Sequence, residues 1–123
     1  MDKPVLDIQE LDGITVIHVR EEKLYQSVVE PFREKMLLLV DEGKRLLVVN
    51  LSSVVLMNSA GVGVLILVWD RLRQDGGQMV ISGLSPLMRE LFQRMRLDTY
   101  FPITESEEDA VAFLRRGKKN PAN

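Results

Sequence analysis

The sequence predicts a single α/β domain, a small mixed sheet flanked by helices, in the order β-β-α-β-α-β-α-β-α. Three observations predict it. Short β-rich apolar runs alternate with longer stretches of helical periodicity, the pattern of strands linked through helices. Asp12-Gly13 separates the first two runs at hairpin spacing. The 123 residues, 46% hydrophobic and 28% charged, suit one globular core. The domain is expected over residues 1–116, with 117–123 as a flexible C-terminal tail.

Each element follows from its own signal. "VLDIQELDGITVIHVR" reads as two antiparallel strands around Asp12-Gly13. "SVVEPFREKMLLLVDEG" has Ser27 and Glu30 at capping-box spacing, apolar residues at Val28, Phe32, Met36, Leu39 and Val40, and a stop at Gly43, which make an amphipathic helix. Pro31 is close enough to its start to be tolerated. "RLLVVNL", Arg45 to Leu51, is nearly continuous in apolar residues and suits a central strand buried on both faces. A second helix is expected from about Ala60 to Gln74, closed by Asp75-Gly76-Gly77, and "QMVIS" follows as a strand. Ser85-Pro86 supplies a cap and a first-turn proline for a third helix, its inner face marked by Leu87, Leu91 and Met95. "YFPIT" reads as a short edge strand that tolerates Pro102. Ser106 caps a last helix with acids in its first turn, apolar Val111 and Leu114, and arginines in its last turn. Helical links between strands favour parallel pairing with right-handed crossovers.

Composition narrows the function. The net charge is −2 and basic residues are interleaved with acidic ones, so nothing suggests nucleic acid or an anionic membrane as partner. Absence of cysteine removes disulfides, thiolate nucleophiles and cysteine metal sites. "MDKPVLDIQE" lacks a signal-peptide core, and the longest apolar stretch, Val62 to Trp69, is far below a membrane span of roughly 20 residues. The expectation is a cytoplasmic protein without membrane insertion. Its one histidine, His18, lies mid-strand with no nucleophile motif beside it, so neither a triad nor a metal centre is supported. Glu21-Glu22 and Glu105 to Asp109 read as solvated charges, and Met57, Met79, Met88 and Met95 as packing residues. No catalytic constellation, metal or cofactor is expected.

The informative stretch is "VVLMNSAGVGVLILVWD", residues 54–70, where an apolar run breaks at Asn58-Ser59-Ala60-Gly61 and resumes as a helix. A helix start leaves N–H groups unsatisfied and carries partial positive charge, so it welcomes a cap oxygen or an anion. Asn58 and Ser59 are both suitable caps, with Gly61 and Gly63 letting the helix start pack closely. Ser59 is equally a candidate phosphorylation site, because a phosphoryl group there is locally stabilised while it changes the surface.

Residues 48–103, from "VVNLSS" through "MNSAGVGVL" to "GGQMVISGLSP…LF…M", resemble the STAS domain of the bacterial anti-sigma factor antagonist family. The junction is similar to that family's Asp-Ser-(Ser/Thr/Ala)-Gly-(Leu/Val)-Gly pattern. The resemblance implies a STAS domain over residues 1–116 and a switch serine at Ser59. It also implies a partner serine kinase that is itself the anti-sigma factor, bound by the unphosphorylated form, and a phosphatase that restores that form. Two departures stand out. Asn58 replaces the usual aspartate, and "VREEKLYQS" lacks the glycine and aspartate of the family's "G-x-L-D" type turn.

The second helix adds a physical reason to expect a protein partner. With Val64, Leu65, Val68 and Leu72 inward, Val62, Ile66 and Trp69 fall on another face, beginning near Ser59. Either neighbouring helices cover this stripe, or it forms a tryptophan-anchored binding surface with Asn58, Ser59 and Ala60. The leading reading is thus a regulatory binding module, monomeric or weakly dimeric, switched at Ser59. The alternatives are a constitutive STAS adaptor of a signalling complex or of a lipid-transport ABC ATPase, and an enzyme or small-molecule carrier requiring a concave polar pocket.

Overall fold

Continuous apolar character places one strand at the centre of the protein and arranges the rest around it. The computed structural model describes residues 4–119. In chain order the elements are β1 (Leu6–Leu11), β2 (Ile14–Val19), β3 (Lys23–Leu24), a 3-10 turn (Gln26–Val28), α1 (Val29–Asp41), β4 (Leu46–Asn50), β5 (Leu56–Met57), α2 (Ser59–Gln74), β6 (Gln78–Ser82), α3 (Pro86–Arg94), β7 (Ile103–Thr104) and α4 (Glu107–Lys119). The main sheet runs β1-β2-β4-β6-β7, with β4 in the middle. Only the β1–β2 hairpin is antiparallel. Its turn has positive φ at both Asp12 (54°) and Gly13 (86°), which matches the twist of the strands it joins.

Alternation along the central strands divides the core in two. Leu47, Val49, Met79 and Ile81 face α1, α2 and α3, packing with Phe32, Met36, Leu65, Val68 and Phe92. Val48 and Val80, with Ile14 and Val16, face the opposite way onto Ala110 and Leu114 of α4. Three helices therefore cover one face and a single helix covers the other.

Several expectations need correction. Ser27 does not cap α1: it lies in the 3-10 turn, whose Gln26 has φ +55°, and the residue preceding α1, Val28, makes no side-chain cap bond. Glu30 instead pairs with Arg33 at 3.7 Å. On α3, Ser85 does accept from the Met88 N–H at 3.2 Å, but the inner face belongs to Met88 and Phe92. Leu87 and Met95 are exposed and Leu91 half-buried, a set with the same spacing as the buried pair but turned by about one residue around the helix. Met95 is accordingly not a packing residue, whereas Met57, Met79 and Met88 are buried. The last helix, capped by Ser106 through the Asp109 N–H at 3.0 Å, runs through Gly117 to Lys119, so the expected tail begins as helix. Residues 120–123 of the expected tail lie outside the described residues.

Candidate functional site

Chain geometry between β4 and α2 is set by a pairing with no obvious sequence signal. β3 and β5 form a two-stranded parallel sheet, Lys23 opposite Leu56 and Leu24 opposite Met57. The Glu22 carbonyl accepts from the Val55 N–H at 2.7 Å and the Leu56 N–H at 3.1 Å, while the Leu24 carbonyl accepts from the Asn58 N–H at 3.4 Å. The "VREEKLYQS" segment is thereby laid directly against the strand-to-helix corner.

At the corner the two candidate caps divide. Asn58 is extended (φ −93°, ψ −179°), and its Oδ1 accepts from the Gly61 N–H at 3.0 Å, while its carbonyl accepts from the Val62 N–H at 3.1 Å. Asn58 is therefore the N-cap, and Ser59 is the first residue of α2. The Ser59 hydroxyl has no capping role, and Ser59 and Ala60 are both exposed. Their N–H groups belong to the first turn, which has no partner within the helix. Gly61 is required: a Cβ there would lie 2.8 Å from Met57 Cγ and 2.9 Å from the Leu24 carbonyl oxygen. Gly63 is not, since nothing lies within 4 Å of a Cβ built on it.

The expected apolar stripe of α2 is covered. Val62 is 3% exposed and Trp69 6%, with Ile66 half-buried, so Val62 and Trp69 are core residues and do not line a free surface. The chain after α3 closes over Trp69. Trp69 Nε1 donates to the Tyr100 carbonyl at 3.1 Å, and the Arg73 guanidinium lies 5.1 Å from both the Trp69 and Tyr100 ring centroids. Arg73 and the Tyr100 hydroxyl both bond Asp70. The bond from Tyr100, then that from Arg73, holds the Asp70 carboxyl below the usual carboxylate range. Burial, then the Asp70 bond, pushes the Tyr100 phenol up.

Exposed apolar surface appears elsewhere on the same side of the molecule. Val55 and Leu56, 50% and 43% exposed, immediately precede the corner, and β5 lies against α3, which presents Leu87 at 56%, half-buried Leu91 and then Met95. Among the described residues, four of the seven exposed large apolar side chains are in this group, so apolar exposure is concentrated there. Sequence reasoning missed these residues because it placed the α3 set inward.

Two further polar pairs tie strands of the main sheet to neighbouring segments. His18 Nε2 lies 3.0 Å from Ser53 Oγ, and Asn50 Nδ2 donates to Glu107 at 2.9 Å. Among the described residues no group of three His, Cys, Asp or Glu side chains is placed to hold a metal ion, and no helix is long and apolar enough to cross a membrane.

Residues 5–110 match the STAS domain model. A Bordetella bronchiseptica protein described as an anti-sigma factor antagonist, BtrV, is 31% identical over 110 residues, 89% of this chain and 94% of that protein. The chain belongs to the anti-sigma factor antagonist family of STAS domains. The STAS fold is equally evident in solved structures. A Thermotoga maritima protein of the same description superposes with a TM-score of 0.82 at 16% identity, over 89% of this chain and 94% of that one. The Bacillus cell fate determinant SpoIIAA in its phosphorylated form gives 0.67 at 24% identity, over 87% and 96%. Proteins of this family are regulatory rather than catalytic.

Proposed function

We propose that this STAS domain is a phosphorylation-switched binding module that, unphosphorylated at Ser59, binds a serine kinase acting as an anti-sigma factor, with a phosphatase restoring the binding form. The observation that carries the reading is the division at the corner. Asn58 caps α2, which leaves Ser59 exposed, uncommitted and first in a helix whose free N–H groups favour an anion. Asn58, Ser59 and Ala60 stand beside exposed Val55 and Leu56, with Leu87 on the neighbouring helix and Met95 just after its end. An apolar partner surface seated there would have to desolvate against a phosphoryl group of charge about −1.5 to −2, and that charge would weaken it. A phosphorylated form is known for the fold neighbour SpoIIAA, which further supports the reading.

The test is intact-mass analysis with peptide mapping of the protein recovered from its native cells together with its bound partners. Phosphate on Ser59 in one pool, with an ATP-dependent kinase co-purifying only with the other, is the expected result. An unmodified Ser59 with the same partner bound throughout would overturn the switch and leave a constitutive STAS adaptor, the reading that Asn58 in place of aspartate favours. Leu87→Glu should abolish partner capture while leaving the melting temperature unchanged, because Leu87 is exposed.

A further inference from the structure

α4 is the one helix on its face of the sheet, and only part of it is used there. Ala110 and Leu114 point into the core and Val111 packs against its edge, while Glu108, Val111, Ala112 and Arg115 form a stripe at i, i+3, i+4 and i+7 that borders a groove against Leu11 of β1. Leu11 is 38% exposed, and Val111 and Ala112 are half-buried. The stripe has an acid at one end, a base at the other and small apolar side chains between. Glu108 and Arg115 stand equally far from the midpoint between Val111 and Ala112. Glu108 has no ion-pair partner among the described residues, and Arg115 holds only the surface carboxylate of Asp12, at 3.2 Å.

A stripe of this kind is complementary to itself when inverted. We propose that a second copy of this chain docks on it, α4 against α4 in antiparallel sense about a twofold axis at that midpoint. Glu108 of each copy then meets Arg115 of the other, while Leu11, Val111 and Ala112 close the centre. The apolar centre is small, so the dimer belongs with weak interfaces and its charge pairs are accessible to salt. Because α2 lies on the other face of the sheet, both Ser59 corners remain free in the dimer.

Sedimentation equilibrium of the full chain at low and high salt tests this. The expected result is a monomer–dimer equilibrium that weakens at least tenfold at high salt. Glu108→Arg and Arg115→Glu should each leave the circular dichroism unchanged and abolish self-association, since each opposes like charges. The two single variants mixed together should associate, and the double reversal should dimerise again. A protein that stays monomeric throughout, or a dimer indifferent to both reversals, would overturn the proposal.

Discussion

Two glycines in the first turns of α2 give opposite expectations for the same substitution. At Gly61 a new methyl group would meet the Leu24 carbonyl oxygen at 2.9 Å and Met57 Cγ at 2.8 Å. Met57 has a flexible side chain and can give way, but the carbonyl is backbone held in the β3–β5 pairing and already accepts the Asn58 N–H. Overpacking of this kind costs about 1–3 kcal/mol, against a helix-propensity gain of up to about 1 kcal/mol from replacing glycine with alanine. Gly61→Ala should therefore destabilise by about 1 kcal/mol, and by no more than about 2. Gly63→Ala, facing open space, should keep the propensity gain and stabilise by up to about 1 kcal/mol. A gap of about 2 kcal/mol corresponds to a difference on the order of 10 °C in Tm for a domain of this size. Thermal melts of both variants by circular dichroism measure it directly. Coincident melts would refute the claim that the β3–β5 seat fixes the helix start, and with it the account of how Ser59 is held.

The capping assignment predicts that Asn58→Ala lowers stability by about 1 kcal/mol in urea unfolding, whereas Ser59→Ala leaves it nearly unchanged. Trp69→Ala should cost about 3–5 kcal/mol, because the indole is buried and its N–H is bonded; a fully folded variant of normal Tm would show that the stripe is free after all. Asp70 has its pKa lowered in the folded protein, so its contribution is complete above the unfolded value near 4 and is lost as pH falls through the folded one. Tyr100 has its pKa raised, so its contribution is present at neutral pH and declines as pH rises above about 10. Melting temperatures against pH should fall at both ends, and Asp70→Asn should flatten part of the acid limb.

How far the fold could be read depended on whether a signal was local. The hairpin at Asp12-Gly13 and the apolar run of β4 were legible because turn chemistry and burial on both faces leave their mark within a few residues. β3 and β5 were not, since two-residue strands show no periodicity and their pairing joins segments far apart in the chain. On α3, Leu87-Leu91-Met95 and Met88-Phe92 share one spacing, so period alone could not say which set turns inward. The corner at Asn58 and Ser59 was legible as a pair of caps, but the choice between them rests on φ and ψ at Asn58. The second stripe of α2 follows from its spacing, but whether it is covered does not, because the cover over Trp69 comes from Tyr100 and the turn around it.

The placement of Asn58 as cap has a further consequence for how the molecule can age and vary. A hydroxyl tied into the first turn would have to be released before any chemistry on it, and every such event would loosen the helix that presents it. Here the fastening is on the preceding residue, so Ser59 can be altered, by mutation or by an enzyme, with the corner still closed. An anionic group introduced at that position would sit over the free N–H groups of the first turn, so it would leave the helix start at least as stable as before. A change at Ser59 would thus alter which surfaces can meet the corner without opening the corner itself.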